Sequence, residues 1–221
     1  MLTIKKRDED SFTHLLKTHS IVVRRGAFKV TTENGDILAL AAGGDLIGPA
    51  MHLSRMEVRL RAKALMPEIE VCAMPWNHFE KLMDGRIPLL KLVQVQLATN
   101  LMTMSVAAHW AKKSLRERAL LVLKVLRDRF SVRYGQFKMI DIPLTKIDIA
   151  SLMSTVQESA VRVLSEFRED GLIAANGKRI VILDNVRLDR LVQEIHERDR
   201  QKAEGEENGL EESPNSPQSH D

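Results

Sequence analysis

Three polar side chains near position 160 can form the paired hydrogen bonds with which proteins bind base edges. A glutamine amide such as that of Gln157 can pair with adenine, the carboxylate of Glu158 can accept from cytosine, and the guanidinium of Arg162 can donate twice to guanine. Glu158 and Arg162 are also four residues apart, so on a helix they could instead form a surface ion pair worth about 0.2–0.5 kcal/mol. The elements that carry these residues decide between the two uses.

The segment from position 145 to position 170 has the spacing of a helix-turn-helix. Thr145-Lys-Ile-Asp148 is a capping pattern, which predicts a helix over residues 146–153. Ser154-Thr155-Val156 predicts a three-residue turn, and a second helix is expected over residues 157–170. The apolar stripe that must face the core of this second helix consists of Ala160, Val163, Leu164 and Phe167. The residues left on its outer face are Glu158, Arg162, Ser165 and Glu169.

A β-hairpin is predicted directly after the second helix. Gly171 suits the C-cap of that helix, because glycine adopts positive φ without strain. The sequences LIAA and KRIVIL then predict two strands joined by a tight turn at Asn176-Gly177. Lys178 and Arg179 would lie at the tip of this hairpin, where they could contact phosphates. We expect the hairpin to be the wing of a winged helix-turn-helix.

These elements together resemble a known family. The segment IASLMSTVQESAVRVLSEFREDGLIAANGKRIVIL is similar to the C-terminal domain of the Crp/Fnr regulators. Upstream, IVVRRGAFKV, GGDLIG, VRLRAKAL and a long helix resemble the effector domain and dimerisation helix of the same family, so the resemblance covers about residues 21–183. It implies a homodimeric transcription regulator that binds double-stranded DNA through a helix in the major groove and has RNA polymerase as a further partner.

The resemblance also assigns DNA contacts to individual residues. They are Thr145, Gln157, Glu158, Ser159, Arg162, Lys178 and Arg179. Many cyclic-AMP-type members have arginine where Gln157 stands, and many Fnr-type members have serine where Val161 stands. The contacts of Glu158 and Arg162 therefore transfer, which implies one G·C pair or two adjacent ones in each half-site, while the rest of the operator stays open.

The first third of the chain has the pattern of short antiparallel strands. Glycines recur at close intervals between residues 21 and 74, and Asn34-Gly35 predicts a two-residue hairpin turn between AFKVTTE and DILALA. Apolar residues alternate with Arg59, Arg61 and Lys63, as in a strand with one face in water. We expect a β jelly roll or barrel over residues 1–84, closed by a helix near residues 76–83, and an α+β fold overall. Only about twenty residues precede IVVRRG, fewer than the resemblance implies, which leaves two alternatives: a truncated barrel, or a start of the barrel that is misassigned.

The cyclic-nucleotide cassette of the resembling family is degenerate in this chain. Pro49 stands where the resemblance implies a ribose-binding glutamate, and Met56 stands at the phosphate-binding arginine, with Arg55 one residue away. Cyclic nucleotides are therefore not expected to bind. A related branch senses 2-oxoglutarate, for which Arg55, Arg59 and Arg61 offer charge, but the strand alternation predicts that these arginines face solvent.

No cofactor is expected. Some relatives bind haem, but His52 and Cys72 lack a ligand motif and are interpreted as ordinary side chains. Because Cys72 is the single cysteine, an internal disulfide and a four-cysteine zinc site within one chain are excluded. No nucleophile elbow, phosphate-binding loop or metal pair occurs in the sequence, so an enzyme is not predicted.

A long helix with a heptad repeat is predicted over residues 87–111. Its seam, spaced alternately three and four residues apart, consists of Leu90, Val93, Leu97, Asn100, Met104, Ala107 and Ala111. This spacing predicts a two-stranded coiled coil in a homodimer, with Asn100 fixing the register. The alternative is a helix packed against its own domain. Ser114-Leu-Arg-Glu117 is a capping box that starts the next helix at Leu115.

Composition fits this organisation. Of 221 residues, 44% are hydrophobic and 29% are charged, which allows two domains, and the 4% aromatic content argues against stacking on single-stranded nucleic acid. The net charge of +3 conceals a basic segment between positions 112 and 133 and an acidic C-terminus. Without a signal peptide or an apolar run of membrane length, the chain is placed in the cytoplasm. The expected divisions are residues 1–84, a helix over 85–112, a DNA-binding domain over 113–195 and a disordered tail over 200–221.

Overall fold

Two small antiparallel sheets and the long helix that follows them form the N-terminal half of the computed structural model, which describes residues 1–5, 8–54 and 59–211. One sheet has the strand order β1-β7-β2-β5 and the other has the order β4-β3-β6. The elements, in chain order, are β1 (Leu2–Lys5), α1 (Glu9–Thr18), β2 (His19–Arg25), β3 (Ala27–Thr32), β4 (Ile37–Ala42), β5 (Leu46–Ile47), α2 (Pro49–Ser54), β6 (Leu60–Ala64), β7 (Glu68–Pro75), α3 (Trp76–Met83) and α4 (Ile87–Trp110). The expected α+β class is confirmed.

Two elements precede the first expected strand and pack into this domain. β1 extends one sheet and α1 inserts its apolar side into the core shared by both sheets, so of the two alternatives the structure favours a start that was misassigned. Phe12 and Leu16 are each 1% exposed, and the Phe12 ring meets the Phe28 ring edge-on at 4.7 Å. The backbone N–H of Ala62, on the edge strand β6, donates to Thr13 Oγ1 at 3.0 Å, so α1 also covers a sheet edge.

The hairpin predicted at Asn34-Gly35 forms, but its turn is longer than expected. Strands β3 and β4 pair in antiparallel register, with a register shift between Val30 and Thr31. The loop occupies residues 33–36, Gly35 has φ +94°, and its N–H donates to the Thr32 carbonyl at 3.1 Å. The predicted two-residue turn is therefore wrong in length, whereas the need for a glycine with positive φ is confirmed.

The described residues of the predicted seam of α4 differ in their exposure. Val93 is 2% exposed and packs with Leu46 and Phe79 of its own domain, and Leu97 packs against the same cluster. At these two positions, side chains far away in sequence pack against α4, as the alternative of a helix packed on its own domain implies. Leu90 is 44% exposed, and the side chains of Asn100, Met104 and Ala107 lie outside those the structure describes.

Outside the predicted seam, Ile87, Leu92 and Val95 of α4 are 64%, 60% and 63% exposed. Leu92 and Val95 are three residues apart. Their spacing continues in the sequence at Thr99, Met102 and Val106, again three and four residues apart. The heptad pattern is thus present in a register rotated from the predicted one.

Helices and a four-stranded sheet with the order β10-β11-β9-β8 form the C-terminal half. The elements are α5 (Leu115–Phe130), β8 (Ser131–Tyr134), β9 (Phe137–Ile140), α6 (Lys146–Leu152), α7 (Gln157–Glu169), β10 (Ile173–Asn176), β11 (Arg179–Ile182) and α8 (Asn185–Glu211). The capping box of Ser114 and Glu117 at the start of α5 is confirmed. The edge strand β8 was not predicted, since it is short, mostly exposed and lacks alternating burial.

Helix α8 extends further than expected. The disordered tail was predicted to begin at position 200, but the helix continues to Glu211. The segment from Arg190 to Lys202 is rich in strong helix formers, and Arg190 lies 3.9 Å from Glu194 in an i,i+4 ion pair. Residues 212–221 lie outside the described part of the chain. Across the described residues, no helix is both long and apolar enough to cross a bilayer.

Candidate nucleic-acid interface

Helix α6 begins at a reciprocal cap. The N–H of Asp148 donates to Thr145 Oγ1 at 3.1 Å, and the N–H of Thr145 donates to Asp148 Oδ2 at 2.9 Å. Burial raises the pKa of Asp148, but hydrogen bonds from Lys29 and Thr145 outweigh burial and hold this pKa below its usual value. The cap leaves Thr145 and Lys146 exposed at the start of α6, which is where the sequence predicted a DNA contact for Thr145.

The turn between α6 and α7 contains a non-glycine residue in the left-handed region. Ser154 has φ +50°, its N–H donates to Ser151 O at 3.0 Å, and the N–H of Thr155 donates to Ala150 O at 3.0 Å. These two bonds form a Schellman motif, which normally favours glycine at the position of Ser154. The predicted turn at residues 154–156 is present, but α6 ends one residue earlier than predicted, with Met153 as its C-cap. The geometry of this connection fixes the direction in which α7 leaves α6.

Helix α7 has one buried face and one open face. Ala160, Val163 and Phe167 are 1%, 5% and 0% exposed, as the stripe predicted. On the other face, Gln157, Glu158 and Arg162 are exposed, whereas Ser159 is half-buried. No ion pair joins Glu158 to Arg162 within the described residues, so the alternative interpretation of this pair as a surface salt bridge is not realised. The first turn and a half of α7 thus presents polar groups to solvent.

The far end of α7 is fixed to the rest of its domain. Gly171 has φ +68°, and the N–H of Leu172 donates to Phe167 O at 2.9 Å, which confirms the predicted C-cap. Arg116 of α5 lies 2.9 Å from Asp170 Oδ2 and 3.3 Å from Glu166 Oε2, with its guanidinium 4.8 Å from the centre of the Phe167 ring. This role of Arg116 was not predicted from the sequence, because its partners lie about fifty residues away along the chain.

The hairpin formed by β10 and β11 is the predicted wing, with its turn displaced by one residue. Asn176 pairs with Arg179, so the turn residues are Gly177 and Lys178 rather than Asn176 and Gly177. Lys178 is exposed at the tip, and its carbonyl accepts from the N–H of Leu144 at 3.1 Å. Arg179 Nε donates to Asp141 Oδ1 at 2.8 Å, so this predicted phosphate contact is already engaged in an ion pair. Lys178, the other predicted contact, is exposed at the tip.

The region of the predicted effector cassette is occupied by helix α2. Pro49 is buried at the start of α2, and Gly48 before it has φ +112°. A side chain at position 48 would come within 2.9 Å of the Trp76 ring, so the position requires glycine. Arg55 and Met56 lie outside the described residues. His52 stacks on Trp76 with ring centres 4.2 Å apart, and its Nε2 lies 2.8 Å from Glu80 Oε1.

The remaining candidate ligands are dispersed. Cys72 is exposed on β7, away from the contacts of His52. Arg59 and Arg61 are exposed, as their alternation predicted, and line an open cleft of about 410 Å³ with Lys17 and Glu33. Among the described residues, no three His, Cys, Asp or Glu side chains are grouped as metal ligands.

Comparison with known proteins gives consistent matches. Residues 117–191 match the model of the Crp-like helix-turn-helix domain. The transcriptional activator protein FnrA of Stutzerimonas stutzeri is 26% identical over 193 residues, which cover 82% of this chain and 74% of the relative. The fumarate and nitrate reduction regulatory protein of Escherichia coli is 27% identical over 175 residues, covering 76% of this chain and 69% of the relative.

Solved structures share the fold. A CRP/FNR-family transcriptional regulator from Thermus thermophilus superposes with a TM-score of 0.65 at 20% identity, covering 80% of this chain and 89% of that one. FixK2 from Bradyrhizobium japonicum gives a TM-score of 0.65 at 21% identity, covering 79% and 87%.

A winged helix-turn-helix with an open polar face on its second helix, joined by a long helix to a two-sheet domain, defines a DNA-binding transcription regulator. Residues 117–191 match the Crp-like helix-turn-helix domain, and the chain is similar in sequence and fold to transcription regulators of the Crp/Fnr family.

Proposed function

We propose that the chain acts as a homodimer that binds a specific two-half-site operator, with helix α7 of each protomer in the major groove. The observation that carries this proposal is the exposure of Gln157, Glu158 and Arg162 on the first turns of α7, while the opposite face is buried. Arg162 would donate to O6 and N7 of guanine, and Glu158 would accept from N4 of cytosine. Neither side chain has to break an ion pair with the other before it binds DNA.

Contacts to the DNA backbone would orient this helix. Lys178 at the wing tip, Thr145 at the start of α6 and Ser159 on α7 would meet phosphates. Arg179 would contribute less, because it already pairs with Asp141. These contacts carry no sequence information, and they determine the register in which α7 enters the groove.

Dimerisation would use the exposed apolar face of α4 rather than the predicted seam. Leu92 and Val95 are too exposed to contribute to the core of their own chain, and their spacing is that of a coiled coil. A second copy of α4 would cover this face and place two winged domains on one side of the dimer. The two-fold symmetry of such a dimer requires a palindromic operator.

The relatives suggest the regulatory outcome. Proteins named as transcriptional activators are among the matches, so activation through contact with RNA polymerase, in the cytoplasm where the DNA lies, is the expected mode of action. The chain would work as a binding protein and not as an enzyme. Any effector would not be a cyclic nucleotide, because Pro49 supplies no acceptor for a ribose hydroxyl.

Selection of bound duplexes from a randomised pool tests this function. The full chain is expected to enrich a palindrome with G·C pairs at matching positions of both half-sites. Recovery of random sequences only would contradict sequence-specific binding. For the effector, calorimetry with cyclic AMP and cyclic GMP is expected to show no binding heat, and a dissociation constant of about 1 μM would contradict this part of the proposal.

A further inference from the structure

The sheet formed by β4, β3 and β6 contacts the first helix of the helix-turn-helix. Lys29 of β3 donates to the carboxylate of Asp148 on α6, across 119 positions of sequence. The two side chains are only 17% and 4% exposed. An ion pair with this degree of burial requires a fixed geometry, since either charge without its partner would be desolvated and uncompensated.

A second hydrogen bond joins the same elements. The N–H of Ile37, on the edge strand β4, donates to Ser151 Oγ of α6 at 2.8 Å. Around these bonds, Ala27 and Leu65 of the N-terminal domain belong to the same buried cluster as the apolar residues of α6 and α7. The interface is thus continuous with the core of the DNA-binding domain and is not a loose contact between two surfaces.

Asp148 has two roles in this interface. One of its carboxylate oxygens caps α6 by accepting from the N–H of Thr145, and the other accepts from Lys29. The N-terminal sheet is therefore bonded to the residue that starts α6. Helix α7 follows α6 after only four residues, so its direction is determined by the orientation of α6 on the sheet.

We propose that Lys29 and Ser151 are positioning residues that fix the DNA-binding domain against the N-terminal domain and thereby set the half-site spacing of the operator. This inference rests on the proposed function. In a dimer joined through α4, the separation of the two α7 helices depends on how each winged domain is held, and half-sites lie about 34 Å apart per helical turn. The covalent connection between α4 and α5 is only the segment 111–114.

The test uses palindromic duplexes built from the selected operator, with the half-site centres at the selected spacing or displaced by about 2 base pairs. Binding of the full chain is measured by fluorescence anisotropy at constant salt. The wild type is expected to prefer the selected spacing by about tenfold or more. Lys29→Met and Ser151→Ala should each reduce this preference to about threefold or less, because the orientation of α6 is no longer fixed.

Two variants serve as controls. Lys29→Arg keeps a cation at the interface and should retain most of the spacing preference. Lys81→Met removes one positive charge from an exposed position of α3, so it reports the general electrostatic effect on DNA binding and should leave the preference unchanged. A single half-site should bind all variants within about twofold of the wild type, which shows that the winged domain is folded.

A spacing preference that survives both Lys29→Met and Ser151→Ala would overturn the inference while leaving the proposed function intact. If Lys29→Met does not fold, Ser151→Ala still tests the spacing preference, because this variant removes only one hydroxyl group and should fold. A wild-type chain that enriches no sequence would overturn the proposed function itself, and the inference with it.

Discussion

The Arg162→Ala variant tests whether Arg162 contacts the bases of the operator or its phosphate backbone. Because Arg162 is exposed and does not pair with Glu158 among the described residues, its removal should change the free energy of unfolding by no more than about 0.5 kcal/mol. Loss of a bidentate contact to guanine should cost about 1–3 kcal/mol of binding. At about 1.4 kcal/mol per factor of ten, this loss corresponds to a dissociation constant roughly 5- to 150-fold larger on the selected operator.

The assay is fluorescence anisotropy on the operator and on duplexes in which one G·C pair is exchanged in each half-site. The wild type should lose affinity at the exchanged pair, and Arg162→Ala should bind both duplexes almost equally. Lys178→Ala is the matched control at the wing tip. It should weaken binding to all duplexes alike and lower the slope of log K against log salt by about 0.9, since one fewer phosphate is neutralised.

The opposite pattern would refute this assignment. If Arg162→Ala weakens operator and random DNA by the same factor and lowers the salt slope as Lys178→Ala does, then Arg162 contacts the backbone. Helix α7 would in that case lie across the groove edge instead of within the groove.

Further predictions concern dimerisation, the turn and acid stability. The double variant Leu92→Glu, Val95→Glu should be monomeric in sedimentation experiments. The control Val186→Glu, at an 80% exposed position of α8, should stay dimeric. A double variant that stays dimeric would exclude the Leu92 and Val95 face of α4 as the dimer interface. Ser154→Gly should stabilise the chain in urea by about 0.5–1 kcal/mol, since the residue has positive φ, and an unchanged midpoint would show that the left-handed conformation carries no cost. The pKa of Asp148 is lowered in the folded state, so its contribution is present above the unfolded value of 3.8 and is lost as pH falls through the folded value. Urea titrations between pH 5 and about pH 2 should therefore show a shallower acid-side decline for Asp148→Asn than for the wild type, and equal slopes would contradict the pKa direction.

The helix-turn-helix could be predicted closely from sequence because its determinants are local. The cap formed by Thr145 and Asp148, the glycine at position 171 and the stripe that includes Phe167 each depend on residues within four or five positions of one another. Local hydrogen bonds and helical periodicity are encoded at that range. The outer face of α7, and with it the candidate DNA-contacting residues, followed directly from that stripe.

The face of α4 shows where the sequence alone was insufficient. Its apolar residues are numerous enough to support more than one heptad register, and the pattern alone favoured the seam that includes Leu90, Val93 and Leu97. The packing of Val93 against Leu46 and Phe79 could not be read from the sequence, since those residues approach only after the sheets have formed. Val93 is 2% exposed, so it has little surface left for a second chain.

Tertiary structure also decided how the two halves of the chain are joined. By itself, the sequence determined a winged helix-turn-helix, a long helix and a β-rich domain. It gave no sign that Lys29 would meet Asp148, because an isolated lysine on a strand is most often in water and its partner already had a role as a helix cap. Such a pair is fixed only when distant apolar surfaces pack together and exclude water from both charges, which is a property of the folded chain as a whole.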